Sequence, residues 1–162
     1  MSEEEKLSSY LSKSKLIPNS NYEKKIRIAI LGGFTLNGLE ETMRVKCDEK
    51  KIQCTTFVSG YNQYNQEILD EKSQLYKFSP DITFLIIDSR NALGEFFLNP
   101  YSISAEERKR FVEDKSNEII NLAKELVKKS KSKLVISNFN IPSYSPIGIN
   151  EIKEEFGLHD MI

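Results

Sequence analysis

The 162-residue chain is long enough for one domain that buries about two-thirds of its unfolded surface. Hydrophobic residues make up 39% and charged residues 29%, a balance that argues against both a disordered chain and a bundle of membrane spans. With 23 basic against 24 acidic residues and a formal charge of −1, no basic excess is present to neutralise nucleic-acid phosphates, so nucleic acid is not expected as a partner.

In chain order, residues 3–17 carry Leu7, Tyr10, Leu11 and Leu16 at helical spacing, ending at Pro18 and the turn-rich "PNSN". This predicts an N-terminal helix or arm over residues 1–24, ahead of a main domain over 25–162. The blocks "SEEEK" and "KKSKSK" are opposite in sign and read as solvated surface. "KIRIAILGG" predicts a first strand; Thr35 then has the chemistry of an N-cap, before a helix burying Leu36, Leu39, Met43 and Cys47. "IQCTTFV" predicts a second strand, and "GYNQYNQEILD" a loop running into a short helix.

"ITFLIID" is almost uninterruptedly apolar, as in a strand covered on both faces. Ser104 and Glu107 form a capping box that starts a long helix to about Lys129, with Phe111, Ile119, Leu122, Ala123, Leu126 and Val127 predicted inward. "KLVISNF" predicts a fourth strand, "NIPSYSPIG" a loop and "NEIKEEFGL" a last helix. This alternation predicts an α/β three-layer α/β/α sandwich with a mainly parallel sheet. Ligands of such sheets bind beyond the carboxyl ends of the strands. The segments Gly32–Thr35, Ser59–Tyr64, Asp88–Asn91 and Asn138–Ser145 are therefore the candidate site.

The first of these is no nucleotide cradle, because Gly32 and Gly33 are adjacent and no Lys follows Gly38. It reads as a tight turn before a capped helix, with a small-anion or acyl-oxygen site at Gly33 and Thr35 as the alternative. Gly60, Tyr61, Asn62, Gln63, Tyr64 and Gln66 crowd one strand end. They suit either hydrogen bonding to a ligand or partner, or an ordinary loop. Asp88 ends an apolar strand and needs a partner, for which Arg90 is the expected choice. In the functional alternative, Asp88, Ser89 and Asn91 line a crevice with Thr35, and Asn138 projects toward it.

The single histidine, His159, stands beside Asp160 near the chain end and would have to fold back to serve a Ser-His-Asp arrangement. Cys47 and Cys54 read as free thiols, although a disulfide between them is open geometrically. No metal-ligand spacing occurs. The N-terminus lacks a signal-peptide core and no run of 18 apolar residues exists, so the expectation is a cytoplasmic protein with no membrane partner.

The stretches "IRIAILGGFTLNGLEETMR", "GYNQYNQEILDEKSQLYKFSPDITFLIIDSR" and "VISNFNIPSY" together resemble the N-terminal domain of FkbH-like proteins of the HAD superfamily, over about Lys25 to Ile147. The resemblance implies a flavodoxin-like domain similar to SGNH hydrolases, followed by a HAD catalytic domain in the same or a partner chain. It further implies polyketide-type biosynthesis, in which a phosphoglycerate-derived acyl group becomes a glyceryl thioester on an acyl carrier protein. Mg²⁺ is expected only for the HAD domain, and no cofactor for this chain. The HAD aspartate motif is absent, so the sequence is expected to be either cut short of that domain or a stand-alone relative.

Against the SGNH pattern, Gly33 and Phe34 stand where Asp and the nucleophilic Ser would fall. Gly60 matches the oxyanion glycine, Asn91 loosely matches the later asparagine, and the D-x-x-H block is missing. The expected function is an accessory domain that binds an acyl or glyceryl group or a carrier protein, or docks the HAD domain. Its expected ligand-binding residues are Gly33, Thr35, Gly60, Tyr61, Gln63, Tyr64, Asp88, Arg90, Asn91 and Asn138. The alternatives are a hydrolase or acyltransferase using Thr35 or Ser89, and a structural or oligomerisation domain.

Overall fold

The computed structural model describes residues 6–17 and 22–162. The first apolar run forms strand β1 (Lys24–Gly32), whose last five residues are buried. Burial on both faces is what a central parallel strand requires. β1 pairs in parallel with β2 (Ile52–Val58) on one side and β3 (Ile82–Ile86) on the other, so that Ile30 lies between Val58 and Phe84. β4 (Lys133–Ile136) pairs in parallel with β3, and the order is β2-β1-β3-β4. The direction of winding reverses between β1 and β3, the switch point of a flavodoxin-like sheet.

Strand alternation divides the core. Ala29, Leu31, Leu85 and Ile87 share one cluster with Tyr64 and Ile68 of α3 (Tyr64–Leu69), Leu75 of α4 (Gln74–Phe78), and Leu122 and Leu126 of α6 (Ala105–Lys129). Ile28 and Ile30 point the other way, to the side that a right-handed crossover gives to α2 (Leu39–Glu49), where Val45 is buried. α1 (Leu7–Lys15) rests against α2, with the Lys46 ammonium 5.1 Å from the Tyr10 ring centroid. The helices thus flank the sheet as a three-layer sandwich. No helix among the described residues is long and apolar enough to cross a membrane.

A second cluster joins Leu93 of α5 (Ser89–Leu93) and Phe97 to Leu158 and Met161. Its organiser is Arg108, 4% exposed, whose guanidinium donates to the carbonyls of Ile103, Glu155 and Phe156 at 2.7 Å each.

The capping box holds as expected: Ser104 Oγ accepts from the Glu107 N–H, and the Glu107 carboxylate accepts from the Ser104 N–H at 2.8 Å. Other expectations need correction. Thr35 does not cap α2; Gly38 does, in the left-handed region at φ 84, and the helix starts at Leu39. Leu36 therefore lies outside the helix, and Val45 is its buried residue while Leu39, Met43 and Cys47 are half-buried. Val127 faces out at 58% exposure, although Leu126 beside it in the last turn of α6 is fully buried.

The last helix is not α-helical; residues Gly148–Lys153 form a 3-10 turn. Phe156 sits at φ 54, and the carbonyls a continuing helix would use are taken by Arg108. The expected "SEEEK" block apart from Lys6, and the "PNSN" turn, lie outside the described residues.

Gly38 has two reasons to be glycine: its positive φ, and the approach of Leu7, which a Cβ would overlap. Gly38→Ala should cost about 1–2 kcal/mol from the backbone alone. It should also release α1, seen as faster amide exchange over residues 7–15; unchanged exchange there would contradict this packing.

Both cysteines are free and half-buried. Burial, reinforced by the neighbouring Cys47 thiol, pushes the Cys54 thiol up to about 12. Burial likewise raises Tyr64, Tyr76 and Tyr101. All four groups keep their protons in the fold and release them more readily once unfolded, where thiols titrate near about 8.5 and phenols near about 10. Their contribution is complete below about pH 8.5 and is lost as pH rises toward the folded values. The urea midpoint should therefore fall steadily between about pH 8.5 and about pH 11, and a flat profile would count against the burial of these groups.

Candidate functional site

The carboxyl ends of β1, β2 and β3 gather most of the sequence-predicted residues, but in two separate groups. At the switch point the Gly33 N–H donates to the Ile86 carbonyl at 3.1 Å, fastening the turn after β1 to β3. Asn91 packs on Gly33, lying 3.3 Å from where a Cβ would stand. The Asp88 carboxylate accepts from the Asn91 backbone N–H at 2.6 Å and from its Nδ2 at 2.9 Å, capping α5. Ser89, 5% exposed, donates its hydroxyl to the Asn140 carbonyl at 2.8 Å. This crevice is closed by its own hydrogen bonds. The expected Asp88–Arg90 pair is replaced by Asp88–Asn91, because the amide can satisfy the carboxylate within the turn; Arg90 instead lies 5.8 Å from the Phe97 ring centroid.

Thr35 and Tyr61 belong to the second group. They line a cavity of about 440 Å³ between the turn after β1, the end of β2 and the helix α1. Leu7 and Leu11 of α1, with Phe34, Leu36 and Val58, supply its apolar wall. Thr35, Asn37, Ser59, Tyr61, Glu40 and Glu41 supply its polar groups. Ser59 Oγ accepts weakly from the Gly32 N–H at 3.4 Å, and Glu40 accepts from the Thr56 hydroxyl at 2.6 Å. The side chains of Thr35, Asn37, Glu41 and Tyr61 make no hydrogen bond or ion pair among the described residues.

The remaining candidates lie elsewhere. Gly60 and Gln63 close a turn, with the Gln63 N–H donating to the Gly60 carbonyl at 3.1 Å and its amide folded over the glycine. Tyr64 is a core residue at 8% exposure, since the helix α3 starts there and turns the ring inward. Asn138 is exposed, outside the cavity lining. His159 is exposed, and its backbone N–H rather than its ring donates to Glu151 at 3.3 Å. That carboxylate also accepts from the Tyr101 and Ser145 hydroxyls. Burial alone would raise Glu151, but these donors hold it below the usual carboxylate range.

Among the described residues no hydrogen bond links Thr35 or Ser89 to a His, Asp or Glu side chain. No group of three or more His, Cys, Asp or Glu among them is arranged to hold a metal ion. Asn37, Glu41, Leu7 and Leu11 are lining residues that local sequence signals missed. The stripe of Leu7 and Leu11 marks a helix, but nothing near it tells where the helix docks.

Residues 27–145 match the family model described as FkbH, N-terminal domain. No curated protein matches the sequence. Among solved structures the chain is similar to the N-terminal part of a Bacteroides fragilis protein containing a phosphatase domain, crystallised with Mg. The TM-score is 0.75 at 15% identity, over 97% of this chain and 39% of that one. The likeness at this identity is one of fold, and the chain spans well under half of the solved chain's length. With well over half of its residues inside the family match, the chain belongs to the FkbH N-terminal domain family.

Proposed function

We propose that the chain is an accessory domain that holds an acyl or glyceryl unit, presented on a carrier protein, beside a phosphatase-type HAD domain of the same or a partner chain. The observation that carries this reading is the cavity of about 440 Å³ at the ends of β1 and β2, where polar side chains without partners meet an apolar wall. An acyl chain suits Leu7, Leu11 and Val58, and hydroxyls on it suit Thr35, Asn37 and Tyr61. Family membership supports a place next to a HAD domain, and the solved neighbour contains a phosphatase domain. Mg²⁺ belongs in this reading to that domain.

Titration calorimetry with a glyceryl-loaded acyl carrier protein tests the proposal. Saturable binding is expected, with at least about a tenfold loss on Tyr61→Ala, a substitution at an exposed ring that leaves the fold intact. Absence of binding to the loaded carrier, in the presence and absence of the HAD domain, would refute it.

A further inference from the structure

The charge of the cavity narrows what can enter it. Among the described residues its lining contains two carboxylates, Glu40 and Glu41, and no Lys, Arg or His. Both stand in the first turn of α2. Glu40 has one acceptor bond from Thr56, whereas Glu41 has no partner among the described residues. The cations of α2 lie outside the lining: Arg44, one turn after Glu40, makes no ion pair among the described residues, and Lys46 is engaged by Glu49 at 3.1 Å and by the Tyr10 ring. Carboxylates only accept hydrogen bonds, so the polar end of a ligand here must donate. A phosphate or carboxylate would meet like charge at short range and would find no cation to offset its lost hydration.

We propose that this cavity selects ligands by donor character and charge. It takes an amphiphile whose polar end is a hydroxyl or ammonium donor and whose tail is a short apolar chain, and it excludes anionic ends. Glu41 is the selecting group; Leu7 and Leu11 receive the tail. The inference rests on the binding role proposed above and deepens it. Applied to that role, the unit held would be one without a phosphate.

Resonances of the ¹⁵N-labelled 162-residue chain can be followed during titration with n-hexylammonium, hexanoate and inorganic phosphate. The first and second probes share a tail and reverse the charge. Hexylammonium should shift the amides of Thr35, Asn37, Glu41 and Tyr61 and saturate at a concentration at least about tenfold below hexanoate, with no saturable shift from phosphate. Glu41→Gln, at a half-exposed position without a partner, keeps the fold and should shrink the difference between the two probes at least about threefold.

Hexanoate or phosphate binding as tightly as hexylammonium would overturn the selectivity while leaving a ligand cavity in place. An unchanged discrimination in Glu41→Gln would overturn the role of that residue, and with it the proposal. Saturation by none of the probes would overturn both the selectivity and the use of this cavity for binding.

Discussion

Arg108→Leu is expected to destabilise the fold by about 3–5 kcal/mol, since three carbonyls lose a charged donor at about 1–3 kcal/mol each. The side chain is 4% exposed and serves three carbonyls at 2.7 Å, two of them in the segment that carries Leu158 and Met161 into the second core cluster. Leucine fills part of the volume but donates nothing, so the carbonyls of Ile103, Glu155 and Phe156 lose their partner together. The loss is expected to be local first: amide exchange over residues 156–162 should accelerate before that of β1 and β3. Urea unfolding of the variant measures the total. A loss under about 1 kcal/mol would mean that Arg108 does not anchor this segment.

Leu126→Ala should cost about 2–5 kcal/mol, while Val127→Ala, one residue on, should change stability by about 0.5 kcal/mol or less. Leu126 is fully buried within the main cluster, against Leu85 and its neighbours, and its truncation leaves a cavity that a parallel sheet relaxes into poorly. Val127 is 58% exposed. Comparable unfolding midpoints for the two variants would contradict the orientation of α6.

The same pair shows where sequence reading stops. Both residues fit a 3.6-residue stripe, and the stripe correctly predicts α6 and its capping box. What it cannot contain is where the buried face ends: Leu126 is fully buried, whereas Val127, about 100° further round the helix, is 58% exposed. β1 and β3 were legible because each is an almost unbroken apolar run that needs no knowledge of neighbours. Only β1 is buried on both faces; in β3 Thr83 and Leu85 are buried while Ile82, Phe84 and Ile86 are half-buried. The start of α2 was not. Thr35 and Gly38 can each end a turn before a helix, and the choice is settled by Leu7, from a helix 31 residues away along the chain, packing where only glycine leaves room.

The site was legible to the same degree. Placing it at the strand ends follows from the β-α alternation, and Thr35 and Tyr61 do share a cavity. Asp88 and Asn91 instead satisfy each other, an outcome set by turn geometry rather than composition. Tyr64 carries the same side chain as Tyr61 but starts α3 and enters the core, because one helical turn decides which ring faces water. The contributions of Leu7, Leu11 and Glu41 arise from α1 folding back over α2, a long-range event with no local mark.

In the proposed role, binding occurs in the cavity beneath α1 rather than at the switch-point crevice or along the sheet edge. Chemical-shift mapping of the labelled chain with a glyceryl-loaded acyl carrier protein tests it most directly. Perturbations are expected to centre on Leu11, Thr35, Asn37, Glu41 and Tyr61. Perturbations confined to Asp88–Asn91 or to β4, with the cavity residues unmoved, would contradict it.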